Sequence, residues 1–135
     1  MKKIAVLLLV MTLALAGCVG VQSYTPLQKA EVGAYVAHAT YMDIYKQCQA
    51  YVPATAADKK TYNEVIRPKV NDLKKALVVY YDGVSAWKAG RATTKDINGN
   101  TVPADGFTID GFKLKVDALI TDIFLFGIIK TTSNP

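Results

Sequence analysis

From Leu27 onward, apolar and small residues recur at alternating steps of three and four: Leu27, Ala30, Ala34, Ala37, Tyr41, Ile44, Cys48 and Tyr51. This spacing draws one seam along one face of an α-helix and suits no strand, whose faces alternate every second residue. The pattern returns twice. A second seam runs Ile66, Val70, Leu73, Leu77, Tyr80, Val84, Trp87, and a third Ile109, Phe112, Val116, Leu119, Ile123, Phe126. Ile120, Phe124, Leu125 and Ile128 widen the third, which predicts that this helix is the most buried of the three. Three one-sided helices joined by one short and one long connection pack most simply as an up-down-up antiparallel bundle, so the expected fold class is all-α.

Local signals mark the ends. Thr25-Pro26-Leu27-Gln28 combines a capping threonine, a proline at the first helical position and a glutamine that closes a capping box. Pro53 ends the first helix near Val52, and the second starts near Thr55 with Asp58 in its first turn, where a carboxylate meets the positive end of the helix dipole. Pro68 cannot donate to the Glu64 carbonyl, which predicts a kink there or a true start nearer Arg67. Gly90 is the natural stop, and the third helix begins around Thr108. Between residues 90 and 108 helical periodicity lapses. There Lys95-Asp96-Ile97 and Asn100-Thr101-Val102 flank Asn98-Gly99, the signature of a tight turn, and can pair as a small exposed β-hairpin. Turning the chain near residue 54 sets Ala30, Ala34 and Ala37 against Leu77, Leu73 and Val70, small against large, with Leu27 level with Tyr80.

The chain opens differently. Met1, Lys2 and Lys3 precede an apolar stretch, Ile4 to Ala16, broken only by Thr12 and followed by Gly17 and Cys18, the layout of a secretory signal peptide. Leu15-Ala16-Gly17-Cys18 resembles the lipobox of bacterial lipoprotein precursors. That resemblance covers residues 1–18 and is silent on the rest. It implies diacylglycerol on the Cys18 thiol, cleavage after Gly17, acylation of the new amine and attachment to a membrane through lipid. The alternative is an uncleaved membrane helix, because apolar and small residues continue through Val21 and reach the roughly 18 needed for a span. Gln22 and Ser23 end the run without a basic stop-transfer flank, which favours removal. In that family an aspartate directly after the cysteine marks inner-membrane retention in enteric bacteria, and Val19 in its place points to the outer membrane. The expected division is residues 1–17 as signal peptide, 18–24 as lipidated cysteine and tether, 25–130 as the bundle and 131–135 as a C-terminal tail.

Cleavage would leave 118 of the 135 residues, enough for one domain with a core. The formal charge would fall from +5 to +3, an excess that suits an anionic membrane surface and lacks the concentrated basic footprint of a nucleic-acid binder. With Cys18 acylated, Cys48 is left without an intramolecular partner, so it either bridges to another chain or packs as a small hydrophobe on its seam.

Polar residues assemble no recognisable chemistry. His38, the single histidine, has no acidic or cysteine residue three or four positions away to orient it or share a metal. Asp96-Ile97-Asn98-Gly99-Asn100 resembles the opening of a calcium loop, but Thr101 and Phe107 stand where that loop wants glycine and glutamate, and a hairpin turn explains the same residues. None of the three serines lies in a nucleophile elbow, and Asp110, Asp117 and Asp122 share their helix with Lys113 and Lys115 as a solvated face. No catalytic centre, metal or cofactor is expected.

Eight tyrosines are many for this length, and Tyr35, Tyr45 and Tyr81 fall off or beside the seams. They either form an exposed contact patch or pack against the third helix. Trp87, level with Gly20 in the expected register, would lie near the lipid with Lys88, Arg91 and Lys95 as a membrane-proximal group; alternatively it covers the base of the core. The sequence thus points to a lipid-anchored envelope protein, not an enzyme, that binds or blocks another envelope component by protein contact. The alternative is a periplasmic small-molecule or lipid-binding module with a pocket lined by Phe112, Phe124, Phe126 and tyrosines.

Overall fold

The computed structural model describes residues 24–127 and Ile129. The signal peptide, the lipobox with Cys18, the tether up to Ser23 and the tail after Ile129 lie outside the described residues. The described chain is mostly α-helical, with one two-stranded sheet.

Helix α1, Pro26–Ala50, begins as its sequence requires: the Thr25 side chain accepts from Gln28 N–H, and the Gln28 side chain accepts from Thr25 N–H in return. Tyr51 turns extended and stops it ahead of Pro53. Thr55 and Asp58 form a second capping box at the head of α2, Ala56–Thr61. Pro68 then acts as predicted, though through a wider turn than a simple kink. Residues Tyr62–Ile66 form a π-helical turn in which Arg67 N–H reaches the Tyr62 carbonyl. One extra residue in that turn makes room for the proline ring and its missing donor. Helix α3, Arg67–Lys88, ends at Gly90, whose φ of 67° lets Gly90 N–H reach the Trp87 carbonyl and Arg91 N–H the Ala86 carbonyl.

Strands β1, Thr93–Lys95, and β2, Thr101–Pro103, pair antiparallel with Thr94 opposite Val102. The expected hairpin is present, but its loop is wider than the Asn98-Gly99 pair. Asp96 N–H donates to the Asn100 carbonyl and Gly99, at φ 83°, donates to the Asp96 carbonyl. That is a type I turn closed by a left-handed glycine, a three-residue loop that pushes each strand outward. Asp96 secures it by accepting from the amides of Asn98 and Asn100 and from the Asn100 side chain, which holds its carboxyl below the usual range. Helix α4, Gly106–Leu125, starts earlier than Thr108 because the Asp105 carboxylate caps Thr108 N–H.

Contacts fix the directions. Tyr80 meets Ala30 and Tyr62 meets Cys48, so α1 and α3 run in opposite senses. Lys69 meets Asp122 near one end of α3, while Gly83 approaches Ile109 and Trp87 approaches Gly106 near the other, so α3 and α4 are opposed too. Tyr80 touches Ala30, about one turn beyond the Leu27 level read from the seams, because a helical side chain leans toward its own N-terminus. Glycine permits the closest approaches: a Cβ on Gly33 would stand 2.7 Å from the Tyr80 hydroxyl, and one on Gly83 2.5 Å from Ile109 Cδ1.

The burial ranking of the helices departs from the expectation. Helix α3 contributes eight buried residues, α1 four and α4 three, Ile109, Val116 and Ile123. Leu114 and Leu125 of α4 are instead 70% and 78% exposed. Helix α3 touches both other long helices and the hairpin, so more of its circumference is covered. Apolar richness alone cannot say which helix gains that central place. Among the described residues no helix is long and apolar enough to cross a membrane.

Candidate functional site

Helix α4 meets α1 along an edge where Gly33, Ala37 and Thr40 border Lys113, Asp117 and Ile120. On the other side of α1, the steps from His38 to Tyr41, Tyr45 and Cys48 bring these residues onto one face, opposite Lys74, Leu77, Val78 and Tyr81 of α3. Between them lies an open groove of about 480 Å³ with His38, Tyr41, Leu77, Val78 and Tyr81 along it and Lys74 and Asp82 at its rim. It continues as a valley of about 330 Å³ past Tyr45 and Cys48 to Arg67.

Aromatic contacts stiffen this face. The His38 and Tyr81 rings meet edge to face across the two helices at 6.0 Å, and Tyr41 and Tyr45 stack at 6.1 Å. Farther up, Tyr51 and Tyr62 pack at 4.9 Å, and the Tyr62 hydroxyl donates to the Cys48 carbonyl. Burial raises the Tyr41 and Tyr62 hydroxyls above the ordinary tyrosine value. Burial likewise raises the half-buried Cys48 thiol, against a lowering hydrogen bond with Tyr62, so less of the reactive thiolate forms.

The structure decides between the two alternatives for the tyrosines. Tyr35, Tyr45 and Tyr81 are 71%, 42% and 36% exposed, and Met42 and Val78 extend the same surface.

The proposed membrane-proximal residues are only partly gathered. Trp87 is half-buried against the core, and its ring edge would stand 3.2 Å from a Cβ on Gly106 at the start of α4. Lys88, beside it, is ion-paired to Glu31 in the second turn of α1. Arg91 and Lys95 border a groove with Asp82 and Thr101, where the Lys95 ammonium donates to the Thr101 hydroxyl. The hairpin therefore carries Lys95 back along α3, and its Ile97 borders Ala76 and Phe112. One residue joins this end of α3 unannounced: Phe107, next to the Gly106 that Trp87 approaches, is 91% exposed. It lies just before the third seam, and its own stripe, Phe107, Gly111, Leu114, Ala118, Thr121 and Leu125, has the same step of four and three that would have revealed it.

Elsewhere, Phe112 and Phe124 pack against the core and Phe126 is exposed. Among the described residues no three His, Cys, Asp or Glu side chains gather where they could hold a metal ion. Compared with known proteins, the chain matches no family model, no curated protein and no solved structure.

Proposed function

We propose that this chain is the precursor of a lipid-anchored envelope protein that works by protein contact at a membrane surface and not by catalysis. The lipobox Leu15-Ala16-Gly17-Cys18 supplies the anchor, with cleavage before Cys18 and, from Val19, delivery to the outer membrane. The mature domain is read as an up-down-up three-helix antiparallel bundle standing on its lower end. There Lys88 pairs with Glu31 near the start of α1, with Trp87 beside it against Gly106 and Arg91 just beyond. Aromatic rings favour the headgroup region and basic side chains favour anionic lipid by about 1 kcal/mol each.

The observation that carries the contact reading is the exposed aromatic valley between α1 and α3, with His38 against Tyr81 and Tyr41 on Tyr45. Keeping a large apolar side chain in water forgoes roughly 1.5 to 3 kcal/mol of burial, which a partner surface can recover. Two experiments test the proposal. Cys18→Ser should abolish lipid labelling and leave the precursor unprocessed; mature, membrane-extracted protein from that variant would refute the anchor. Photo-crosslinking in cells from Tyr35 and Tyr81 should give discrete adducts that disappear when Tyr41 and Val78 are changed to serine. A diffuse smear of abundant bystanders, unchanged by those substitutions, would refute contact as the function.

A further inference from the structure

Among the described residues two apolar surfaces are left without a partner, and they are complementary. One is the valley between α1 and α3. The other is a ridge on α4, where Phe107, Leu114 and Leu125 are 91%, 70% and 78% exposed and Gly111 and Ala118 fall between them. At about 100° per residue, this stripe faces directly away from Ile109, Val116 and Ile123, which hold α4 to the core. Ridge and valley therefore point in opposite directions from one molecule.

We infer that the protein associates with copies of itself head to tail, the outer ridge of α4 on one copy lying in the α1/α3 valley of the next. This rests on the contact reading above and names its partner. A second copy displaced sideways and about one helical turn along the axis, without rotation, meets three conditions at once. Its Leu114 faces the groove lined by Tyr41, Leu77 and Tyr81, and its Leu125, about 16 Å farther along α4, faces the valley that runs on past Tyr45 and Cys48. Its charges match: on the valley rim Lys74 and Asp82 stand eight residues apart, about 12 Å along α3. On the side of α4 that meets α3, Lys115 and Asp122 stand seven apart, about 10 Å, and α3 and α4 run oppositely. Asp122 of the second copy thus approaches Lys74, and its Lys115 approaches Asp82. Among the described residues Lys74, Asp82 and Lys115 take part in no ion pair within the chain, while Asp122, paired to Lys69 of its own chain, would share its carboxylate between the two lysines.

The third condition concerns the anchor. Displacement without rotation leaves every α1 starting at the same end, so all copies can be held by lipid at one surface. A two-fold pairing of α4 against α4 in opposite senses would place the two tethers at opposite ends. The contact area is moderate. A helix ridge of this length, about 27 Å, buries on the order of 600 Å² on each copy, near the lower limit for a specific interface. Confinement to one membrane raises the effective concentration and compensates for that modest area. Because ridge and valley are on opposite faces, the association continues as an open row and does not close at two.

Site-directed crosslinking of the full-length, lipidated chain in cells tests this. Two differently tagged copies in a Cys48→Ala background carry Leu114→Cys and Tyr81→Cys respectively, and mild oxidation should yield a dimer containing both tags. Asp82→Lys on the Tyr81→Cys copy should lower the yield about three- to five-fold, and adding Lys115→Asp on the Leu114→Cys copy should restore it. A Leu114→Cys dimer formed with itself would overturn the proposal in favour of two-fold pairing. So would absence of the mixed dimer when both variants reach the membrane and retain helical circular dichroism. A photo-crosslinker at Tyr81 that reaches a different envelope protein and no second copy would overturn self-association while leaving the contact function standing.

Discussion

Gly33→Ala should destabilise the protein even though alanine is the better helix former, and the sign should reverse once a single oxygen atom is removed. In the interior of α1, replacing glycine by alanine ordinarily gains about 1 kcal/mol. Here the added Cβ would stand 2.7 Å from the Tyr80 hydroxyl, closer than such atoms can approach. Tyr80 is fully buried, and its hydroxyl is committed to the Ala30 carbonyl at 3.0 Å. Moving it loses that hydrogen bond, about 1 kcal/mol, and forces repacking that costs about 1 to 3 kcal/mol. The expected net loss is about 1 to 3 kcal/mol, a fall in Tm of about 4 to 12 °C for a domain of this size. With Tyr80→Phe the oxygen is gone, and Gly33→Ala should then stabilise by about 0.5 to 1 kcal/mol. Urea unfolding of all four members of the cycle, followed by circular dichroism, measures the coupling. A coupling below about 0.5 kcal/mol, or a stabilising Gly33→Ala with Tyr80 in place, would refute the close approach of α1 and α3.

Tyr80 also predicts alkaline behaviour: burial, aided by Asp117 and Asp110, pushes its hydroxyl up to about 12 from the ordinary 10.0. The fold favours the neutral phenol, so its contribution is fully present below about pH 10. It is lost as pH rises to about 12, because the unfolded chain gives up its proton first. The loss is about 2 to 3 kcal/mol, and equal pH slopes for the native chain and Tyr80→Phe would exclude it. Gly83→Ala should destabilise by about 1 to 3 kcal/mol, because its Cβ would meet Ile109 Cδ1 at 2.5 Å and the Phe112 ring at 3.1 Å. Ile109→Val, which removes that methyl, should recover part of the loss in thermal unfolding; no recovery would mean that strain enters elsewhere. Gly99→Ala forces a left-handed φ of 83° on an L side chain, costing about 1 to 2 kcal/mol. The effect should appear as faster amide exchange at Asp96 and Gly99 with little change in global Tm, and a matching drop in Tm would show the hairpin to be integral to the core.

The exposed tyrosine surface was legible in composition but not in position. The excess of tyrosine, and the placement of Tyr35, Tyr45 and Tyr81 off the seam, raised the choice between an exposed patch and packing against α4. Only the docking edge of α4, at Gly33, Ala37 and Thr40, settled it. Trp87 shows the same division. Its seam position correctly implied contact with the core, while the neighbour that receives it, Gly106, lies nineteen residues on along the chain and beyond the hairpin. Lys95 was placed by counting along a loop whose return path the count could not contain, and the hairpin carries it up beside Asp82.

What the amino-acid order determined unaided are features closed within a few residues. The capping boxes Thr25–Gln28 and Thr55–Asp58, the disturbance at Pro68, the stop at Gly90 and the turn at Gly99 all arise where the chemistry of one side chain or one φ angle decides the backbone. The seams likewise announced three helical faces that seek burial. What only tertiary packing decided is against what each face is buried and how much of it. A seam states that one face is apolar, not how many neighbours it will meet. Helix α3 took the central position because α1, α4 and the hairpin all pack on it, through contacts such as Tyr80 to Ala30 and Lys69 to Asp122, each about fifty residues apart in the chain. Helix α4, the most apolar of the three, was left at the edge with Phe107, Leu114 and Leu125 in solvent. Hydrophobicity drives burial without direction, and the directions come from the shapes that fit.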